Sequence, residues 1–335
     1  MKTNSEKSTA WANIFSHVYI EAGAENLPAA KRILARLPNA ARVPFGNRRD
    51  IFFRRGQDYL AQKNSPKLIL AVQDEFLRDG SGMCDDFGHE RFLIASQMMN
   101  CLYDCEYCYL QGAHPSANVV AFVNTPDYFA AVREYFGNMG QDAYLCLSYD
   151  ADLLALEGLT GFIREWLEFC AGEPRLTLEI RTKCGVFPFG TETAPLENVI
   201  FAWTLSPENV IRKFERRAPG LEDRISAAKK ASSNGWRVRL CIDPVIAARG
   251  WEADYAELAR AVAAGFPHGT TEGLSVGAFR AREDVFEKMK KMRPYSEILA
   301  GDFVKTEGRG GQKEYRYRDE EEIELVVKGA CEGYD

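Results

Sequence analysis

The sequence predicts an α/β fold, a partial (β/α)6 TIM-like barrel with extensions at both ends. Three observations predict it. From Arg91 onward, short β-rich runs alternate with helical patterns, giving six strands separated by five helical segments. Such alternation implies right-handed crossovers and a parallel sheet, closed as a partial barrel or left open and doubly wound. After the first strand the Gly-x-Gly-x-x-Gly turn of a dinucleotide-binding sheet is missing, and a loop carrying Cys101, Cys105 and Cys108 stands in its place. The partial barrel is the favoured closure, with its chemistry at the C-terminal ends of the strands.

Residues 1–90 read as a helical and irregular region packing on the barrel, with one clear amphipathic helix over Asn26–Leu37. The barrel proper spans 91–295. Arg91–Ser96 is its first strand, running into the cysteine loop. Pro126–Asn138 has apolar residues at helical spacing. Ala143–Ser148 is the second strand, followed by a helix over Glu157–Cys170. Leu176–Thr182 alternates with period two, and Val199–Leu205 is a continuous apolar strand. The helix Leu221–Asn234 begins after Pro219-Gly220 and ends at Gly235, a favourable cap residue. Trp236–Ile242 is a strand stopped by Asp243-Pro244. A helix over Glu252–Ala264, a strand at Leu274–Phe279 and a sixth helix at Arg282–Lys291 complete the series. Residues 296–335 form a charged extension with glycine-rich turns at Gly308–Gly311.

The 335 residues are enough to bury a full core, and 46% hydrophobic with 27% charged residues is ordinary globular composition. No run approaches the ~18 consecutive apolar residues of a membrane span. The first fifteen residues lack the apolar stretch of a secretory signal, so a soluble cytoplasmic protein is expected. A net charge of −6 gives no global attraction to nucleic acid and leaves only a local basic face for that purpose.

Nine cysteines is an odd number over a long chain, unlike a disulfide scaffold. Six lie far apart, and three crowd together as Cys101-x3-Cys105-x2-Cys108 directly after a strand. Three thiolates on one loop can wrap one face of an iron–sulfur cube and leave its fourth iron open to a ligand. A structural zinc site needs four ligands, commonly in paired Cys-x2-Cys units, and no second pair exists. Only Cys84 or His89 offers a fourth ligand for that alternative.

This spacing, with the aromatic Tyr109 directly after the third cysteine, resembles the signature of the radical S-adenosylmethionine (SAM) superfamily. The resemblance implies a [4Fe-4S] cluster on Cys101, Cys105 and Cys108, with S-adenosyl-L-methionine on the open iron. One electron from the cluster then cleaves SAM to methionine and a 5′-deoxyadenosyl radical. A closer resemblance covers nearly the whole chain. Cys105-Glu-Tyr-Cys108-Tyr-Leu-Gln is similar to a run of the spore photoproduct lyase family. Glu179–Lys183, Ser206–Arg217, Ile242–Trp251 and Gln312–Tyr317 resemble segments of that family in the same order.

The family resemblance implies DNA repair: cleavage of the methylene bridge between two thymines, on DNA containing that lesion, fed by a one-electron reductant such as flavodoxin or ferredoxin. It implies that Lys183 holds SAM, through its carboxylate. Glu179, Arg181 and Lys183 alternate along one strand and share a face, so a self-neutralising ion network is the other reading. Ser206 is implied as a SAM contact or else caps a helix. Ser148 and Asp150, at the end of the second strand, suit SAM's amino group or ribose, or form a polar loop that caps the next helix. Asp243 lines the substrate pocket or forms a turn. Tyr107 and Tyr109 correspond to tyrosines that pass a hydrogen atom or electron, or else they shield the cluster by packing.

The family quenches its product radical with a thiol near the end of the second strand. Matching Asp152 to the family's acid puts Tyr149 at the donor position, with Cys146 three residues earlier and on the opposite face of an unbroken strand. Either a bulge brings Cys146 into place or Tyr149 donates. Basic stretches occur at Arg212-Lys213 with Arg216-Arg217, at Lys288–Arg293 and at Lys305–Arg318. Lys288–Arg293 reads as a solvated helix end. The resemblance brings Arg316 and Tyr317 to the lesion, where aromatic stacking alongside phosphate contacts is the expected mode. His17, His89, His114 and His268 show no metal spacing. Two alternatives stand beside repair: a radical SAM enzyme on another nucleic-acid or small-molecule substrate, and a non-catalytic iron–sulfur or zinc-dependent nucleic-acid-binding module.

Overall fold

The computed structural model describes residues 14–81, 83, 87–308 and 311–331. In chain order the first elements are β1 (His17–Glu21), α1 (Pro28–Arg36), β2 (Ala41–Phe45), α2 (Arg48–Phe52), α3 (Tyr59–Asn64) and β3 (Leu68–Ala71). Next come β4 (Arg78–Asp79), β5 (Phe92–Ile94), β6 (Met98–Met99), β7 (Asp104–Cys105), α4 (Leu110–Ala113), β8 (Val119–Phe122), α5 (Thr125–Met139) and β9 (Ala143–Cys146). They are followed by α6 (Leu153–Thr160), α7 (Phe162–Cys170), β10 (Leu176–Thr182), β11 (Val199–Thr204), α8 (Glu208–Phe214) and β12 (Glu215–Arg216). The last are α9 (Leu221–Ser233), β13 (Arg237–Val245), α10 (Trp251–Gly265), β14 (Leu274–Ala278), β15 (Arg280–Arg282), α11 (Glu283–Met292), β16 (Phe303–Glu307), β17 (Lys313–Tyr317) and α12 (Glu320–Ala330). The chain divides into two compact units, one of 1–102 with 114–180 and one of 103–113 with 181–335.

The first unit holds a sheet in the order β2-β1-β3-β8-β6, parallel except where β6 runs against β8. Three of these strands lie in the stretch read from sequence as helical and irregular. Their brevity explains the difference: β3 is the four-residue run LILA, buried throughout and too short to show a period. The same unit carries β4-β5-β9-β10, in which β5, β9 and β10 pair in parallel in chain order. The helix expected over Glu157–Cys170 is two helices. Gly161 adopts φ +69 between α6 and α7, a left-handed conformation that ends the first helix. The Glu157 carboxylate then accepts the N–H groups of Ile163 (2.9 Å) and Arg164 (3.2 Å), which caps α7. Arg32 and Arg36 of α1 bond the last carbonyls of α6, at Thr160 and Leu159.

In the second unit β11, β13 and β14 pair in parallel, again in chain order. All six strands expected from sequence are therefore present. Four of the five expected helical segments are present as well; residues 183–198, between β10 and β11, form no helix. Pro188 and Pro195 lack the N–H a helix would use, and Phe187 packs instead on Phe201 and Trp203. Gly235 follows α9 at φ +85, as a left-handed cap should. Strand β13 does not stop at Asp243-Pro244; it shifts register there, with a cis peptide between the two, and continues to Val245. The C-terminal extension adds β16 and β17, which form an antiparallel sheet with β15, and helix α12. No helix among the described residues is long and apolar enough to cross a membrane.

Candidate functional site

The cysteine loop starts from a strained residue. Asn100 sits at φ +64, a region that Asn tolerates better than most side chains, and its amide donates to the carbonyls of Ser116 (2.7 Å) and Asn118 (2.8 Å). Lys63 donates to the Cys101 carbonyl at 2.6 Å. Beyond this point the loop belongs to the second unit, where two devices clamp it. On one side β7 pairs antiparallel with β12, Cys105 opposite Glu215 and Asp104 opposite Arg216. Glu106 N–H adds a bond to Phe214 O at 2.8 Å, and the Glu106 carboxylate meets Arg216 at 3.1 Å. On the other side the buried Arg293 bonds the Asp104 carboxylate and, at 2.7 Å, the Gln111 amide oxygen. Gln111 in turn donates to the carbonyls of Glu106 and Cys108. Arg293 is thus no part of a solvated helix end, although Lys288, Lys290 and Lys291 before it are exposed.

Behind the loop lies a charged network centred on Glu215, whose side chain is fully buried. It accepts hydrogen bonds from the Tyr107 hydroxyl, the Arg224 guanidinium and Ser206 Oγ (2.8 Å), with Lys183 Nζ at 3.4 Å. Lys183 also donates to the Tyr107 hydroxyl at 2.7 Å and lies 3.9 Å from Cys105 Sγ. Burial alone would raise the Glu215 carboxyl, but Lys183 and Arg224 bring it down to about 2. Burial, then the charges of Glu215 and Cys105, push the Tyr107 phenol well above its ordinary value. Burial works against the Lys183 charge, yet Cys105 and Glu215 outweigh it and raise this ammonium. The ion network expected around Lys183 exists, with a different partner: Glu215, not Glu179, which accepts instead from the Tyr144 hydroxyl at 2.5 Å.

The other expected residues fall into separate places. Ser206 bonds Glu215 and caps no helix. Ser148 is buried, and its Oγ has no hydrogen-bond partner among the described residues. Asp150 accepts from Arg78 (2.5 Å) and from Ser96 Oγ, while Asp152 caps α6 through Ala155 N–H at 3.1 Å. Cys146 is the last residue of β9 and buried, in register with Ile94 and Glu179. Tyr149 lies beyond the strand with the Arg78 guanidinium over its ring at 5.6 Å. Tyr109 stands one residue before α4 and accepts the Gly112 and Ala113 N–H groups at its carbonyl. Asp243 faces Arg280 at 3.8 Å. Arg316 is held by Glu314 and Glu320. The buried Tyr317 accepts the Ala247 N–H and stacks on Phe303, and Tyr315 stacks on Phe286, so both rings are already packed.

Glu215 and Arg224 escaped the sequence reading. Both sit in charged surroundings that resemble an exposed helical surface, and only the alternation of apolar Val210, Ile211 and Phe214 before Glu215 hints at burial. Among the described residues no three His, Cys, Asp or Glu side chains gather as around a single metal ion. Cys84, one candidate fourth zinc ligand, lies outside the described residues, and His89 packs against Tyr144. The donor set fits an iron–sulfur cube: one loop brings three cysteine sulfurs, and the Lys183 ammonium beside Cys105 matches a negatively charged group. The unpartnered Ser148 Oγ fits a hydrogen bond to a bound cofactor.

An α/β half-barrel with a three-cysteine loop after its first barrel strand defines the radical SAM class. The comparisons narrow it. A family model described as spore photoproduct lyase matches residues 93–330. The spore photoproduct lyase of Geobacillus sp. is 25% identical over 243 residues, 67% of this chain and 68% of that one. That of Bacillus subtilis is 23% identical over 295 residues, 83% and 82% of the two chains. Among solved structures, a spore photoproduct lyase mutant with bound AdoMet and dinucleoside spore photoproduct superposes with a TM-score of 0.82 at 20% identity, over 96% of each chain. A spore photoproduct lyase complexed with the dinucleoside alone gives the same score and coverage. The chain belongs to the spore photoproduct lyase family, and its sheet is the curled parallel half-barrel of those structures.

Proposed function

We propose that this chain is a radical SAM carbon–carbon lyase that opens the methylene-bridged thymine dimer in DNA. The observation that carries the reading is the clamped cysteine loop with the Lys183 ammonium 3.9 Å from Cys105. Cys101, Cys105 and Cys108 hold the [4Fe-4S] cluster. When bound, the cluster and SAM supply a 5′-deoxyadenosyl radical, with the electron coming from flavodoxin or ferredoxin. Lys183 holds the SAM carboxylate, and the buried Ser148 hydroxyl suits SAM's amino group or ribose. Ser206 and Glu215 keep Lys183 and Tyr107 in place, and burial keeps Tyr107 a protonated phenol that can give up a hydrogen atom. Cys146 or Tyr149 returns hydrogen to the product radical. A flipped lesion costs a few kcal/mol of unstacking, least where the duplex is already damaged, which favours the lesion over intact DNA.

A second reading, the same radical chemistry on another substrate, has support from the C-terminal extension. Arg316 is tied to two carboxylates, Arg318 to Asp302 and Lys305 to Glu283, so this basic stretch is largely neutralised. The test is an anaerobic reaction of reconstituted protein with SAM, dithionite and dinucleoside spore photoproduct, read by mass spectrometry beside a Cys101→Ala control. Thymidine formed only with the intact loop is the expected result. 5′-Deoxyadenosine without thymidine retains the radical chemistry and overturns the substrate.

A further inference from the structure

Glu215 does two things at once. Its backbone pairs with Cys105, and its carboxylate gathers Tyr107, Ser206, Lys183 and Arg224. Two cations therefore face one carboxylate, and the cation nearer the loop is Lys183, 3.9 Å from Cys105 Sγ. Arg224 is fixed independently by the carbonyls of Pro219 (2.9 Å) and Thr204 (3.2 Å), so it anchors Glu215 to the framework. Lys183, by contrast, comes just after the end of β10, on a flexible stem whose ammonium is positioned by Glu215 and the Tyr107 hydroxyl.

We propose that Glu215 is the positioning residue for SAM: it holds the Tyr107 hydroxyl and aims the Lys183 ammonium at the cysteine loop without touching the cofactor itself. This rests on the radical SAM reading above. Without the carboxylate, Lys183 loses an anionic partner and spreads over several rotamers, so its contact with the SAM carboxylate weakens. The three cysteines remain, so the cluster still assembles.

The experiment compares reconstituted wild type, Glu215→Gln, Glu215→Asp and the double variant Glu215→Gln/Arg224→Met. The double variant removes the buried cation that Gln would leave unpaired. Iron per chain is measured first, and SAM is then titrated against the electron paramagnetic resonance signal of the reduced cluster. Expected are wild-type iron content and a SAM dissociation constant raised about tenfold in both Gln variants, the order of one charge-assisted hydrogen bond. Glu215→Asp should fall between. If Glu215→Gln is unfolded, the double variant is read in its place. Wild-type SAM affinity in a folded Gln variant overturns the proposal. So does loss of iron or of folding in all variants, which would make Glu215 part of the scaffold. A wild-type protein that binds no cluster or no SAM instead overturns the reading on which it stands.

Discussion

Arg293 and Gln111 meet at 2.7 Å across 182 residues of chain, and the same guanidinium bonds Asp104, so one buried arginine grips the chain just before Cys105 and again after Cys108. Replacing it by Met leaves a largely buried carboxylate and an amide oxygen unpaired. The cost of breaking such a pair is about 3 kcal/mol. Arg293→Met is therefore expected to lower the urea midpoint of the isolated protein and its iron content after reconstitution. Arg293→Lys keeps the charge but not the fork and should fall between. Equal midpoints for Met and wild type would remove the clamp from the argument.

Gly112 in α4 lies against α11 closely enough that a Cβ would meet Val285, with its Cγ1 at 2.8 Å and its backbone carbon at 2.9 Å. Backbone cannot yield as a side-chain tip can, so Gly112→Ala must push the two helices apart at a cost of about 2 kcal/mol. A lower melting temperature is expected, and trimming Val285 to Ala in the same chain should restore only part of it. Full restoration would show that the side chain alone sets the spacing.

Glu157 caps α7 from a buried position, and burial pushes its carboxyl up to about 7 against 4.5 in the unfolded chain, although the backbone N–H groups of Ile163 and Arg164 and the charges of Arg164 and Arg32 pull the other way. The folded state then binds the proton more tightly than the unfolded one. That contribution is fully present below about pH 4.5 and is lost as pH rises through about 7, a change of about 3 kcal/mol. Unfolding free energy measured by urea across pH 5 to 7 should fall in wild type, and Glu157→Gln should flatten that decline. An unchanged slope would assign the pH dependence to another group.

The six barrel strands were legible because each is a β-rich run bounded by turn residues, and the cysteine spacing named its own chemistry. The break at Gly161 was hidden because Leu159 through Phe162 keeps helical periodicity on both sides of the glycine. The stretch of residues 183–198 was hidden for a different reason: its apolar Phe187 and Phe189 serve an irregular segment that packs by shape. Glu215 could not be read because burial of a charge depends on partners from distant segments, here Tyr107 and Lys183. Charge pattern alone puts such a residue on the surface.

The choice between Cys146 and Tyr149 turns on where β9 ends. The opposite-face rule that separated them assumes an unbroken strand, but β9 stops at Cys146, and the chain then bends through Leu147–Ala151 before α6. Cys146 stands in register with Glu179, which bonds Tyr144, so Tyr144, Cys146 and Glu179 share one face. Tyr149 is instead covered by the Arg78 guanidinium, itself tied to Asp150. A thiol also gives up hydrogen to a carbon radical more readily than a phenol held under a cation. Cys146→Ala is therefore expected to keep 5′-deoxyadenosine formation while coupled thymidine formation falls at least roughly tenfold, with a packing cost of only about 1 kcal/mol from the lost sulfur. Tyr149→Phe is the comparison, assayed on the same dinucleoside by mass spectrometry. A loss confined to Tyr149→Phe would move the donor to the tyrosine, and an equal loss in both would show that the two side chains act in series.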